Sequence, residues 1–132
     1  MRILVIEDEK KVARILEQGL REEKYDVDVA FDGEAGAKRA LSETYDLIIT
    51  DINMADINGL ELVRFIRRSE HHRTTPLLII STLRSEADVE RGLALGADDY
   101  LPKPFTPEQL RAKCAGLLSA TLHPRPSEPP GP

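Results

Sequence analysis

The sequence predicts a doubly wound α/β domain: a five-stranded parallel sheet with helices on both faces. Three observations predict it. Short, apolar, β-branched segments alternate with longer segments of helical spacing, making five βα units. Three of the short segments, Ile3-Leu4-Val5-Ile6, Leu47-Ile48-Ile49 and Leu77-Leu78-Ile79-Ile80, show no period-two alternation, as strands covered on both faces should not. The connections between segments are short, as such units require.

In chain order, the first strand is expected at 2–6, followed by a helix whose stripe is Val12, Ile15, Leu16, Gly19 and Leu20. Residues 26–31 alternate, with Val27, Val29 and Phe31 against Asp26, Asp28 and Ala30, which suits a strand near a sheet edge. Ala37, Ala40 and Leu41 mark a weaker helical stripe, and the third strand falls at 46–50. Gly59 sits at a plausible helix start before Leu60, Val63 and Ile66. After the fourth strand at 76–81, Ser85 is a candidate N-cap for a helix carrying Val89, Leu93 and Ala94. The fifth strand is expected at 99–101, and Pro107 opens a last helix with Leu110, Cys114, Leu117 and Leu118 on one side. From His123 onward half the residues are proline and no apolar stripe remains. The folded domain is therefore expected over 1–121, with 122–132 a disordered tail or the start of a linker.

Bulk properties narrow the function. A length of 132 residues with 41% apolar and 31% charged residues is one soluble domain's worth. Lys and Arg total 18 against 23 Asp and Glu, a net charge of −5, so direct nucleic-acid binding is not expected. The single cysteine, Cys114, forms no internal disulfide, reads as a small core residue, and fits a reducing compartment. The apolar run at 3–6 is too short for a signal peptide or a membrane span, so a cytoplasmic protein with no membrane partner is expected.

The chemistry should lie beyond the carboxyl ends of the strands, where open parallel sheets bind ligands. Strand one ends in Glu7-Asp8, strand three in Asp51, strand four in Ser81-Thr82, and strand five leads into Lys103-Pro104. Three carboxylates, a hydroxyl and an ammonium thus meet in one crevice. Clustered carboxylates need compensation, and a hard divalent cation with oxygen ligands, Mg²⁺, is the obvious form of it. A cation and an ammonium beside an aspartate also suit phosphoryl transfer, with the aspartate as nucleophile.

Together, Glu7-Asp8, Asp51-Ile52-Asn53-Met54, Asn58-Gly59, Ser81 and Tyr100-Leu101-Pro102-Lys103-Pro104-Phe105 resemble the receiver domains of two-component response regulators, over roughly residues 1–119. The resemblance implies a flavodoxin-like (βα)5 fold and a phosphoacceptor at Asp51. It implies Mg²⁺ held directly by Asp8 and Asp51, through water by Glu7, and by the backbone carbonyl of Asn53. Lys103 then contacts the phosphoryl group, Ser81 is the switch hydroxyl, and Tyr100 is the aromatic that turns inward afterwards. The implied phosphodonor is a phosphohistidine on a sensor histidine kinase or phosphotransfer protein. Output to a downstream protein partner would leave through the fourth helix, fifth strand and fifth helix. The domain would be a signalling phosphoacceptor and not a turnover enzyme.

Some positions depart from the family pattern. Ala55 stands where proline is usual, so a looser loop after Asp51 is expected, and Thr82 stands where a very small residue is usual, so partial steric cover over the phosphoryl site is expected. In the subgroup of receivers that dimerise through the output face, a basic residue matched by Arg91 pairs with an acid on the fifth helix, but that position here holds neutral Gln109, and Lys113 replaces Arg. A monomer or weak dimer is expected, either a stand-alone receiver or a piece of a longer regulator. Other readings fare less well. A phosphohydrolase with an aspartate nucleophile usually has a second acid where Asn53 stands, and neither a G-x-G-x-x-G nor a phosphate-loop motif exists. The main alternative is a phosphorylation-independent pseudo-receiver scaffold. His71-His72 read as a solvated loop, Arg67, Arg68 and Arg84 as solvated charges, and Asn58-Gly59 as turn chemistry.

Overall fold

A computed structural model describes residues 1–120; the proline-rich segment expected at 122–132 lies outside the described residues. The elements run β1 (Arg2–Ile6), α1 (Lys10–Glu22), β2 (Asp26–Ala30), α2 (Gly33–Ser42), β3 (Leu47–Asp51), α3 (Gly59–Arg68), β4 (Leu77–Ser81), α4 (Glu86–Ala94), β5 (Asp99–Pro102) and α5 (Pro107–Ala120). All strands are parallel, in the order β2-β1-β3-β4-β5, so the strand order reverses between β1 and β3. The expected five βα units are all present.

The unalternating strands divide their side chains between two cores. Ile3, Val5, Leu47, Ile49, Leu78 and Ile80 pack with Leu16 and Leu20 of α1 and Leu110, Cys114 and Leu118 of α5. On the other face, Leu4, Ile6, Ile48, Leu77 and Ile79 pack with Ala40 of α2 and Leu62, Val63 and Ile66 of α3. Cys114 is fully buried, and burial pushes its thiol up to about 12, so it is an inert core residue. Ser85 caps α4 as expected, through a reciprocal pair with Asp88. Among the described residues, no helix is long and apolar enough to cross a membrane.

Several expectations are corrected by packing. In α1 the buried line is Ala13, Leu16 and Leu20, leaving Ile15 60% exposed. Ile15 is one residue from Leu16, about 100° around the helix, and so falls outside a stripe of that width. Leu41 is displaced from α2's buried side in the same way, with Ala40 taking the core position. β2 is an edge strand, but Ala30 is buried as well as Val27, because helices cover both of its faces.

Between α3 and β4, Glu70, His71, Arg73 and Thr74 are exposed as expected, but His72 is not. His72 is fully buried: Nε2 donates to the Glu43 carbonyl at 2.9 Å, and Nδ1 lies 2.9 Å from the Thr75 hydroxyl. Arg67 reaches from α3 under the sheet. Its Nη2 pairs with Asp98 at 2.7 Å, Nε donates to the Gly96 carbonyl at 2.8 Å, and Nη1 donates to the carbonyls of His72 and Thr75. Asp98 also accepts from the Leu77 amide at 2.8 Å. One guanidinium therefore ties together the loops that enter β4 and β5, a task its planar fork suits.

Arg67→Met should destabilise the domain by about 3 kcal/mol, since Asp98 loses its guanidinium in a mostly desolvated position. A shift of the urea midpoint at unchanged slope checks this. His72 supplies a second expectation. Burial, with smaller contributions from His71 and Arg67, depresses its pKa below the ordinary 6.5. Below that pH the unfolded chain binds a proton that the folded chain refuses. This contribution to stability is therefore complete above about 6.5 and falls as pH drops toward the depressed value, by up to about 1.4 kcal/mol per unit. Urea melts of wild type and His72→Gln at pH 7.5 and 5.5, about one unit either side, should show a smaller loss in the variant.

Candidate functional site

Parallel register brings the site together. Ile6 pairs with Thr50, so Glu7 and Asp51 emerge side by side from β1 and β3. Asp51 pairs with Ile80, and Ser81 with Pro102, so Ser81 and Lys103 follow at the same level on β4 and β5. The ladder continues one step past the strands, with the Glu7 amide donating to Ala30 at 3.0 Å and the Lys103 amide to Ser81 at 2.7 Å. Residues spread over some hundred positions of sequence thus share one end of the sheet.

The charges are close and mostly dry. One carboxylate oxygen each from Glu7, Asp8 and Asp51 lie within 4.8 Å of one another. Glu7 is fully buried and Asp51 is 6% exposed, while Asp8 is half-buried. Lys103 reaches over them, Nζ lying 2.5 Å from Glu7 Oε1 and 3.2 Å from Asp51 Oδ2. Burial, reinforced by the Asp51 charge, raises the Glu7 pKa despite the Lys103 hydrogen bond. Burial opposes the Lys103 ammonium, but the Glu7 hydrogen bond and the Asp51 charge outweigh it and raise its pKa. One ammonium against three carboxylates leaves negative charge uncompensated, and an all-oxygen donor set of this kind fits a hard divalent cation. The peptide bond following Lys103 is cis.

The loop from Ile52 to Asn58 borders this pocket. Asn53 is exposed, and its amide donates to Asp51 Oδ1 at 3.3 Å. The Asn58 side chain caps α3 by accepting from the Leu60 amide, and Gly59 is obligatory by space: a Cβ there would lie 2.3 Å from Ile52 Cα. Turn chemistry is therefore the role the structure assigns to Asn58-Gly59. Two contacts escape sequence reading. The Asp56 carboxylate accepts from the Gly33 and Glu34 amides, each at 3.0 Å, docking the loop on the N-terminus of α2. The Ala55 amide donates to Asp8 Oδ2 at 3.0 Å. Their partners lie 22 to 47 residues away, so no local signal marks them.

Ser81 is buried, and its hydroxyl oxygen accepts from the Leu83 amide at 3.0 Å. Tyr100 is 5% exposed, and its hydroxyl donates to the Leu83 carbonyl at 2.8 Å. The ring is thus already inward here, where an inward turn was expected only after the switch. Both residues hold the backbone of Leu83, one at its amide and the other at its carbonyl, which makes Leu83 the physical link between them. Thr82, between them in sequence, is exposed. On the far side, Gln109 and Thr106 exchange side-chain to backbone hydrogen bonds at the start of α5, and Lys113 pairs with Asp99 at 2.8 Å within the chain. Gln109 thus completes a capping box with Thr106, the T-x-x-Q pattern that opens α5.

Comparison with known proteins supplies relatives for this geometry. The family model described as response regulator receiver domain matches residues 3–115. The response regulator ArlR of Staphylococcus saprophyticus is 46% identical over 117 residues, covering 89% of this chain and 52% of that protein. The chain thus spans about half the length of the curated relatives it matches. Among solved structures, the receiver domain of the Francisella response regulator 1452 superposes with a TM-score of 0.85 at 33% identity, covering 91% of this chain and 98% of that one. The receiver domain of the sensor histidine kinase PA1611 from Pseudomonas aeruginosa, described with a magnesium ion coordinated in its active site cleft, gives 0.83 at 29% identity, covering 89% and 97%.

Proposed function

The chain belongs to the response regulator receiver domain family, and from that premise we propose that it is a phosphorylation switch whose acceptor is Asp51. The observation that carries this reading is the Glu7–Lys103–Asp51 constellation at the strand ends, with Asp8 beside it. The donor is a phosphohistidine on a sensor histidine kinase or phosphotransfer protein. An Asp51 carboxylate oxygen attacks phosphorus, the P–N bond breaks, and its electron pair returns to the imidazole, leaving an acyl phosphate. Asp8 and Asp51 would hold Mg²⁺ directly, Glu7 through water and Asn53 through its carbonyl, and the ion would supply positive charge to the phosphoryl oxygens. Support for the metal comes from the uncompensated carboxylates here and from the magnesium described for the PA1611 receiver.

Lys103 keeps its charge, being held above its ordinary pKa, and its ammonium offers a further contact for the phosphoryl group. Ser81 donates its hydroxyl proton to a phosphoryl oxygen. Because Ser81 also holds the Leu83 amide, its movement shifts the residue whose carbonyl Tyr100 is bonded to. The charge event thereby biases a pre-existing equilibrium at the face formed by α4, β5 and α5, where a downstream partner reads it. The domain performs its own transfer and hydrolysis and turns over no other substrate. It works in the cytoplasm as a monomer or weak dimer, since Lys113 is engaged within the chain.

Incubation with acetyl phosphate and Mg²⁺ should add one phosphoryl group by intact mass, and Asp51→Asn should remain unmodified. Folded wild type that gains no mass, and that does not respond to beryllofluoride, would leave the domain a phosphorylation-independent scaffold. Thr82→Ala should speed both phosphorylation and dephosphorylation about fivefold, equivalent to roughly 1 kcal/mol of barrier, by uncovering the site. Stopped-flow and decay measurements reporting unchanged rates would remove the steric role of Thr82.

A further inference from the structure

Ala55 stands where receiver domains usually have proline, and here it supplies a backbone donor. Proline has no backbone N–H, so a chain with proline at position 55 can make no amide hydrogen bond there. In this chain the Ala55 amide donates to Asp8 Oδ2 at 3.0 Å, and no protein hydrogen bond to Asp8 Oδ1 is found among the described residues. The amide cannot drift, because the loop is pinned on either side of it. The next residue, Asp56, accepts from the Gly33 and Glu34 amides. Gly33 leaves no clearance beneath the loop, since a Cβ on it would lie 1.6 Å from Ile57 Cγ2. Upstream, the Met54 amide donates to the Ile52 carbonyl at 3.1 Å, close to the Asp51 end of the loop.

We propose that the Ala55 backbone amide is a positioning group for Asp8. It fixes one carboxylate oxygen and leaves the other for a divalent cation, so that α2, through Asp56, sets how tightly the pocket holds that cation. This rests on the metal-dependent reading of the site and goes beyond it, because it assigns part of the affinity to a neutral backbone donor and to a helix that contributes no ligand. The general warrant is that hydrogen bonds to a ligating carboxylate orient it and tune its affinity. Asp8 is only half-buried and sits on the short β1–α1 connection, where an unheld side chain would sample several rotamers.

The test uses Mg²⁺ alone, titrated into the metal-free domain and followed by amide NMR shifts. Three forms are compared with wild type: Ala55→Pro, Ala55→Gly, and a backbone ester made by replacing Ala55 with lactic acid, which removes only the N–H. The proline and ester forms should each bind Mg²⁺ about tenfold more weakly, while Ala55→Gly, which keeps the donor, should stay within about twofold of wild type. In the metal-free protein the Ala55 amide should exchange slowly with solvent, and Asp8→Ala should abolish that protection. An ester form that binds as tightly as wild type would overturn the proposal, and so would an unprotected Ala55 amide. Weakening confined to Ala55→Pro would assign the effect to the proline ring and overturn it equally. Wild type that binds no Mg²⁺ would overturn both this proposal and the metal-dependent reading. Mg²⁺ binding with the expected differences, but no phosphorylation of Asp51, would fault the functional reading alone.

Discussion

Three carboxylates held within 4.8 Å at the end of a parallel sheet, with one ammonium to answer them, are the constraint to which the rest of this molecule is arranged. Glu7 is the extreme case, because it is fully buried and its pKa is raised by that burial. Such a cluster stays ordered only if each member is held by something else. Lys103 spans Glu7 and Asp51, the Glu9 amide donates to Glu7 at 3.2 Å, and the Ala55 and Asn53 amides serve Asp8 and Asp51. The protein thus places mostly neutral backbone donors around its acids, which orient the carboxylates without cancelling their charge.

That arrangement depends on loops held in place by contacts from elsewhere in the fold. The segment between β3 and α3 is fastened by Asp56 on α2, by the Asn58 cap on α3, and by glycines at 33 and 59 that allow backbone to approach where a Cβ would collide. At the opposite end of the sheet, Arg67 does the equivalent for the loops entering β4 and β5. The site end is bound by amide donors around acids, and the other end by a cation among carbonyls. Both solutions satisfy buried polar groups, and the described residues leave no buried side-chain nitrogen or oxygen without a partner.

Between the site and the face formed by α4, β5 and α5 lies the backbone of one shared residue, Leu83. The Leu83 amide is held by Ser81, whose backbone ends β4, and its carbonyl by Tyr100, which stands on β5. A displacement of the hydroxyl at the site is therefore felt by the ring through two hydrogen bonds and no intervening side chain. The inward ring lies against Ile79 and α4, so its position is set by packing as well as by that bond.

The sequence by itself determined the five βα units and the chemistry at their ends. Unalternating runs such as residues 77–80 can be satisfied only by helices on both faces, and a residue at the end of a parallel strand has no other direction to face. The acids, Ser81 and Lys103 were legible for that reason, as was the Ser85 cap, whose partner lies three residues away. Periodicity was a blunter guide to the helices, where Ile15 and Leu41 fit a stripe but miss the core by one residue. Only the tertiary structure decided the fates of His72 and Arg67, which look like solvated charges in a polar run yet become a buried cap and a hub. It also decided that Tyr100 lies inward, and that Ala55 and Asp56 hold Asp8 and α2. The reason is common to all of these: period and local capping are properties of neighbours in sequence, whereas a hydrogen bond across tens of residues exists only once the sheet has brought its partners together.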